Sequence, residues 1–443
     1  MSDAPTSEGT MGYTRISDLK DSPTDALVRV RGWIYRTRSS GKIAFIILRD
    51  ADGIVQTVVR SGTPDFEELK NAPIESAVEV AGLVKLDERA PGGCEIQVES
   101  GKVTGLAATP FPITEDLSTE HTLNFRHLWL RSKDLNAALR VRSTVFGAIH
   151  EYFRSQHFYE VQGPSFVNAA CEGGSTLFEL DYFGEKAYLT QSAQFYLEAL
   201  IMSLERVYTI APSFRAEQSR TRRHLTEFWH AEAEAAWCDL EGIIKVIEGL
   251  VSHIASEVVE KHPEELKSFN RDPESLRKVK PPFKRLHYLD AIRMLNDEGS
   301  VDGDMKLQDG DDIGEAEERK LMMKYEAPVF LYGFPLKLKG FYHMPDPKDP
   351  ERALSTDLLA PEGYGEIVGG GQRVHDAAMI LEQIERFGHN EKDYEWYVDL
   401  RRYGTVPHAG FGLGVDRVIA WMLGLEHIRD TIPFPRTMNR IYP

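Results

Sequence analysis

The sequence has no apolar run near the roughly 18 residues that a membrane-spanning helix needs. Its start, Met1–Thr10, is small and polar and lacks the basic-then-apolar plan of a secretion signal. Cysteine is scarce. Cys94, Cys171 and Cys238 lie far apart with no CxxC spacing, which argues against a disulfide framework or structural zinc site. Reduced thiols fit a cytoplasmic protein, and that location is the expectation. Positive charge is also short. A formal net charge of −17 counts against a nucleic-acid binder. The shortage is uneven, however, because residues 28–42 carry five basic side chains and no acidic one. Such a patch can hold phosphates on an acidic protein, since screening confines the interaction to about 8–10 Å.

What is present fits a globular chain. Hydrophobic residues are 42% and charged residues 27% of 443, enough for two or three domains. Residues 26–105 read as five short strands, Leu27–Tyr35, Ala44–Leu48, Ile54–Val59, Ala77–Leu86 and Cys94–Val103, separated by Gly-, Pro- and Asp-containing turns. Five strands in about 80 residues suit a small Greek-key barrel of the OB-fold type. Residues 106–135 read as a connector or hinge, and 136–443 as a second domain. There Ala137–Phe153 carries apolar residues at helical spacing, and long helices are expected at 193–206, 239–260 and 375–388. The acidic stretch 296–321 reads as a solvent-exposed insertion.

Three segments look chemical. Tyr208–Glu234, YTIAPSFRAEQSRTRRHLTEFWHAEAE, reads as two antiparallel strands joined by a basic loop. Arg215 on the sheet face can grip a phosphate in bidentate fashion, and Arg220, Arg222, Arg223 and His224 form a polar tip. A plain hairpin with a charged, solvated tip is the alternative, but Glu227, Glu232 and Glu234 would then be buried without use, which is costly. Gly404–Arg417, GTVPHAGFGLGVDR, places three glycines before Arg417 at a helix start, where a guanidinium can stack on a base. A Gly-rich packing turn would look the same. Asp357–Arg373, DLLAPEGYGEIVGGGQR, offers Asp357 and Glu366 beside a Gly-rich turn, the donors a magnesium–triphosphate site needs. The GxxxxGK[ST] loop is absent, so an ATP site here is not of the P-loop type.

Together these segments resemble the three motifs of the class II aminoacyl-tRNA synthetases, in the aspartyl/asparaginyl subclass and on the archaeal asparaginyl side. The likeness spans nearly the whole chain: residues 137–164 as motif 1, FRAEQSRTRRHLTEFWHAEAE as motif 2 and GFGLGVDR as motif 3. It implies an OB-fold barrel followed by an α/β (α+β) catalytic domain with a mainly antiparallel sheet flanked by helices. It also implies a homodimer formed through motif 1, with ATP, Mg²⁺, L-asparagine and tRNA(Asn) as ligands.

The resemblance assigns roles. Arg215 takes the α-phosphate and Glu217 the adenine edge. Phe228 and Arg417 stack on the two adenine faces, and Arg223 and His224 hold the outer phosphates. Asp357 and Glu366 hold the metal, and Glu172, Gln191 and Gln194 surround the amino-acid backbone. In the barrel, Phe45 and Gln56 match the reader of the central anticodon base, with Arg36 and Arg38 on phosphates. Asp416 departs from the glutamate that many relatives carry before the motif 3 arginine.

The choice of amino acid rests on three positions. Aspartyl enzymes of this type carry lysine where this chain has Leu197, and aspartate where it has Glu232. Glu232 would accept from an asparagine amide and repel an aspartate, while Arg373 would donate to the amide oxygen. Three alternatives stay open: an aspartyl enzyme that charges both tRNAs, a paralogue making asparagine from aspartate, and a non-catalytic RNA-binding relative. The barrel speaks against the second, and Arg215, Asp357, Glu366 and Arg417 against the third.

Overall fold

A computed structural model of the chain describes residues 12–113, 117–171, 176–219, 221–297 and 306–443. It divides into two compact units between Leu128 and Trp129.

In the first unit, β1 (Leu27–Ser40), β2 (Ile43–Arg49), β3 (Ile54–Arg60), β4 (Ala77–Leu86) and β5 (Cys94–Gly105) close a barrel in the order β1-β2-β3-β5-β4. Period-two alternation sends Val28 and Val30, Ala44, Ile46 and Leu48, Val55 and Val59, Val78 and Val80, and Ile96 and Val98 into one core. Thr57 is the buried polar exception, and its hydroxyl donates to the Ile46 carbonyl at 2.9 Å. A short helix, Phe66–Asn71, was not expected from strand patterning; it buries Phe66 and Leu69 against the barrel core. The stretch read as a connector holds helices Thr119–Asn124 and Arg126–Trp129, the first capped by Ser118 accepting from the His121 N–H.

In the second unit an eight-stranded sheet runs 284–287, 329–332, 355–360, 365–372, 408–414, 227–236, 206–214 and 159–160. The two edge pairs are parallel and the five pairings between them antiparallel. Helices Lys133–Ser155, Leu240–Lys261 and Val415–Leu423 pack on one face. The first shows why the sequence folds this way. Val141, Val145, Ile149 and Phe153 recur every four residues and all enter the core, while Ser132 caps the start. Other helices of ten or more described residues are Gln194–Leu204, Tyr288–Asp297 and Ala377–Arg386. Among the described residues no helix is long and apolar enough to cross a membrane.

The acidic stretch 296–321 is not wholly a solvated insertion; part of it, 298–305, lies outside the described residues. Helix Glu315–Met322 is amphipathic and buries Leu321 and Met322 with Ile313. This turns Glu318 inward, where its carboxylate meets Arg223 at 2.7 Å. Charge density alone hid the apolar stripe.

Candidate active site

The site is built on the opposite face of the sheet, beside helix Gln194–Leu204, which packs on that face at Val207 and Ala236. Strand Glu227–Ala236 sends Ala231, Ala233 and Ala235 into the core, so Phe228, His230, Glu232 and Glu234 share the other face. Opposite them, strand His408–Gly414 places Gly414 against His230, Gly412 against Glu232 and Gly410 against Glu234. A Cβ at Gly410 would lie 2.0 Å from the Glu234 carboxyl carbon, so only glycine leaves room for that group. Gly369 then pairs with Gly412, and Asp357 with Gly369. A glycine floor therefore runs between Glu232 and Asp357.

Two cavities open on this floor and share Arg215, His230, Glu366 and Gly412. Glu217, Arg223, His224, Phe228 and Arg417 line one; Gln194, Glu232, Glu234, Asp357 and Arg373 line the other. Most residues named from the sequence thus converge, from elements as distant in the chain as helices Gln194–Leu204 and Val415–Leu423.

The first cavity is cationic with an aromatic wall. The Arg215 guanidinium lies 5.4 Å from the Phe228 ring centroid. Arg417, on the first turn of Val415–Leu423, donates to the Glu366 carboxylate at 3.1 Å. Arg223 donates to the Glu366 carbonyl at 3.1 Å as well as pairing with Glu318. His224 Nε2 stands 3.5 Å from Glu217. Burial works against the Glu366 charge, but Arg417, Lys339 and Arg223 hold its carboxyl down to about 2. Burial and the Arg215 and Arg417 guanidiniums hold His230 down to about 3, so its ring is neutral. The unfolded ring takes a proton below about 6.5 and the folded one does not, so stability falls as pH drops from there toward 3, by about 1.4 kcal/mol per unit. His230→Asn should flatten this limb in a thermal midpoint measured against pH; an unchanged slope would assign acid sensitivity to other groups. Asp416, the departure from the family pattern, is structural: it bonds Arg142 at 2.5 Å and the Trp229 N–H at 2.9 Å.

The second cavity ends in buried charge. Arg373 and Glu234 form a two-point ion pair at 2.5 and 3.1 Å, with side chains 3% and 1% exposed. Burial pushes the Glu234 carboxyl up, to about 7, against the pull of Arg373. Glu232 accepts from the Ser192 hydroxyl and, at 2.9 Å, from the Ala193 N–H, pinning the loop before helix Gln194–Leu204. Gln194 donates its amide N–H to Glu198 at 3.0 Å, which leaves its carbonyl oxygen as the free acceptor.

Two expected residues fall elsewhere, and a third has no described position. Glu172 lies outside the described residues. Gln191 is buried and donates to the Thr176 hydroxyl at 2.8 Å, and it lines neither cavity. Leu197 is fully buried in a packing cluster with Ala193, Ile201, Val207 and Ala236, behind the cavity wall. Sequence reasoning missed Glu234 as the partner of Arg373. It also missed Lys339, His343 and Glu318, and the buried knot in which Glu198 takes bonds from Arg401, Tyr397 and His408. The alternation of Glu232 and Glu234 could have found Glu234; no local signal marks the others.

Asp357 and Glu366 flank Gly369 and offer hard oxygen donors, which suits Mg²⁺. Burial, with Glu366 and Glu318 nearby, pushes the Asp357 carboxyl up to about 7 against Lys339. A divalent cation between the two carboxylates would relieve the repulsion that Glu366 exerts on Asp357, so the residues fit the ion.

In the barrel, cross-strand register aligns Arg36, Ile47, Gln56 and Glu95 in one row, and Arg38, Phe45, Val58 and Gln97 in the next. All four residues expected at the anticodon thus share the outer face. Phe45 is half-buried there, outside the core cluster, and Gln56 donates to Glu95 at 3.0 Å.

Comparison with known proteins agrees with this geometry. Residues 118–438 match the family described as tRNA synthetases class II (D, K and N), and 28–104 the OB-fold nucleic acid binding domain. The asparagine–tRNA ligase of Thermoplasma acidophilum is 49% identical over 94% of this chain and 96% of its own. That of Pyrococcus abyssi is 48% identical over 97% of this chain and 99% of its own. The crystal structure of asparaginyl-tRNA synthetase from Pyrococcus horikoshii complexed with asparaginyl-adenylate superposes with a TM-score of 0.91 at 48% identity, covering 95% of this chain and 97% of that one. The chain belongs to the class II tRNA synthetases, and within them to the family of the asparagine–tRNA ligases.

Proposed function

We propose that this chain attaches asparagine to tRNA(Asn) at the expense of ATP, through an asparaginyl-adenylate. The observation that carries the reading is the meeting of two cavities at Arg215, one walled by Phe228, Arg223 and Arg417 and the other ending in Glu232, Glu234 and Arg373. ATP lies in the first, its adenine between Phe228 and Arg417, near Glu217, its α-phosphate at Arg215 and its outer phosphates at Arg223 and His224. Asparagine lies in the second, with Gln194 accepting from its ammonium.

The asparagine carboxylate attacks the α-phosphorus, the bond to the bridging oxygen breaks, and pyrophosphate leaves with the electron pair. Charge grows on the non-bridging oxygens, where a guanidinium already in place needs no reorganisation. Asp357 and Glu366 would hold Mg²⁺, which when bound supplies positive charge to the phosphates. A hydroxyl of the terminal tRNA adenosine, the 3′ one by family resemblance, then attacks the acyl carbon and AMP leaves. No side chain acts as nucleophile.

Selection follows from charge. The substrate amide oxygen accepts from Arg373, and its NH₂ donates to Glu232 or Glu234. Both carboxylates repel an aspartate, and Glu234 already neutralises the Arg373 guanidinium that would otherwise receive it.

The barrel's outer face reads the anticodon, a base stacking on Phe45 and bonding to Gln56, with Arg36 and Arg38 on phosphates. Gln56→Ala should lower tRNA charging by about 10-fold, a loss of one or two hydrogen bonds, and leave pyrophosphate exchange unchanged. An equal fall in both would detach Gln56 from tRNA. The chain is a cytoplasmic homodimer paired through residues 137–164, near whose end Tyr159 and Phe166 expose large apolar surface.

The reading is tested with asparagine, ATP and a tRNA carrying the asparagine anticodon. Asparaginyl-tRNA and AMP are the expected products; aspartyl-tRNA as the main product would overturn it.

A further inference from the structure

Three carboxylates and three cations meet around the shared wall of the two cavities. Arg417 faces Glu366 at 3.1 Å, Arg223 faces Glu318 at 2.7 Å, and Lys339 faces Asp357 at 2.6 Å. The two arginines belong to segments already read as nucleotide-binding. Lys339 does not. It follows the turn Leu336–Leu338, lines the second cavity beside Asp357 and Glu366, and rests 3.8 Å from the Phe334 ring centroid. Lys339 and Asp357 are only 17% and 14% exposed. A buried carboxylate needs a counter-charge, and a lysine ammonium on a flexible stem is a point charge that can withdraw.

We infer that Lys339 is a resident counter-ion that competes with the divalent cation for Asp357, holding the metal site electrically closed until the ion displaces it. The inference rests on Asp357 and Glu366 being the metal ligands. Lys339 bonds Oδ2 while Oδ1 lies on the Glu366 side, so the ammonium and a divalent cation would share one carboxylate charge, and both cannot draw on it at full strength. Once displaced, the ammonium remains in the cavity wall, facing the place where the amino-acid carboxylate meets the α-phosphate. The Phe334 face offers it a second, weaker partner during the exchange. Lys339 is thus a positioning residue: its presence weakens metal binding and keeps Asp357 placed in the empty site.

The test is a Mn²⁺ titration of the full chain without nucleotide, read by electron paramagnetic resonance of the free ion, since Mn²⁺ takes the same oxygen donors. Lys339→Met should bind Mn²⁺ about tenfold more tightly than the wild type, because the competing charge is gone. Asp357→Asn should weaken binding, and Lys339→Met should bring no gain in that background. A merely structural lysine would not tighten metal binding when removed. Unchanged affinity in Lys339→Met, with Asp357→Asn still weakened, overturns the role of Lys339 and leaves the metal placement standing. Insensitivity to both changes overturns the metal placement itself. Should Lys339→Met fail to fold, Lys339→Gln answers the same question, since it still donates to Asp357 without the charge.

Discussion

Arg215→Ala should lower asparagine-dependent ATP–pyrophosphate exchange by about 10²–10³-fold, the usual loss when one preorganised donor to developing charge is removed. Arg215 follows the last residue of strand Arg206–Phe214 and lines both cavities. Its side chain is 28% exposed and belongs to no core cluster, so its removal opens no apolar void. The thermal midpoint should therefore move by only a few degrees, as for a change near 1 kcal/mol. Exchange and midpoint measured on one preparation separate the two effects. A loss of exchange below tenfold would mean the α-phosphate is held elsewhere.

Glu234→Gln should have the second largest effect, on both stability and selection. It strands the Arg373 guanidinium, 3% exposed, without its carboxylate, and breaking a buried pair costs about 3–5 kcal/mol. Aspartate brings a carboxylate of its own to that guanidinium, and asparagine does not. Aspartate should then raise the variant's thermal midpoint more than asparagine does, by preferential binding to the folded state. The ratio of kcat/KM for aspartate over asparagine should rise at least about tenfold, since one charge contact is worth more than about 1.4 kcal/mol. An unchanged ratio would show that Glu234 only supports the fold.

The Arg215 expectation agrees with the sequence and the Glu234 one goes beyond it, and the difference has a physical origin. Periodicity exposed what is local. Val28 to Val98 alternate along barrel strands, and Val141 to Phe153 recur along one helix, so both elements were legible. The family resemblance supplied Arg215, Arg417 and Arg373, and each lines a cavity. Pairings between distant residues were not legible. Glu198 meets Arg401 across 203 positions, and Arg373 meets Glu234 across 139. Glu232 was expected to read the amide; the structure shows its oxygens holding residues 192 and 193, with Glu234 on Arg373. A carboxylate oxygen accepts more than one bond, so Glu232 still faces the substrate, now in company. Leu197 was expected in the site, yet it packs against Ile201 and Val207 in the layer behind. A lysine there would enter a packed apolar cluster behind the cavity wall.

The central claim, that buried carboxylates around Arg373 select an amide over a carboxylate, is tested most directly by ATP–pyrophosphate exchange with each amino acid at equal concentration. Exchange that requires asparagine, with aspartate slower by about 10²-fold or more, is the predicted result, since the site's charges must be left unpaired or opposed by the wrong substrate. Comparable exchange with aspartate would contradict it.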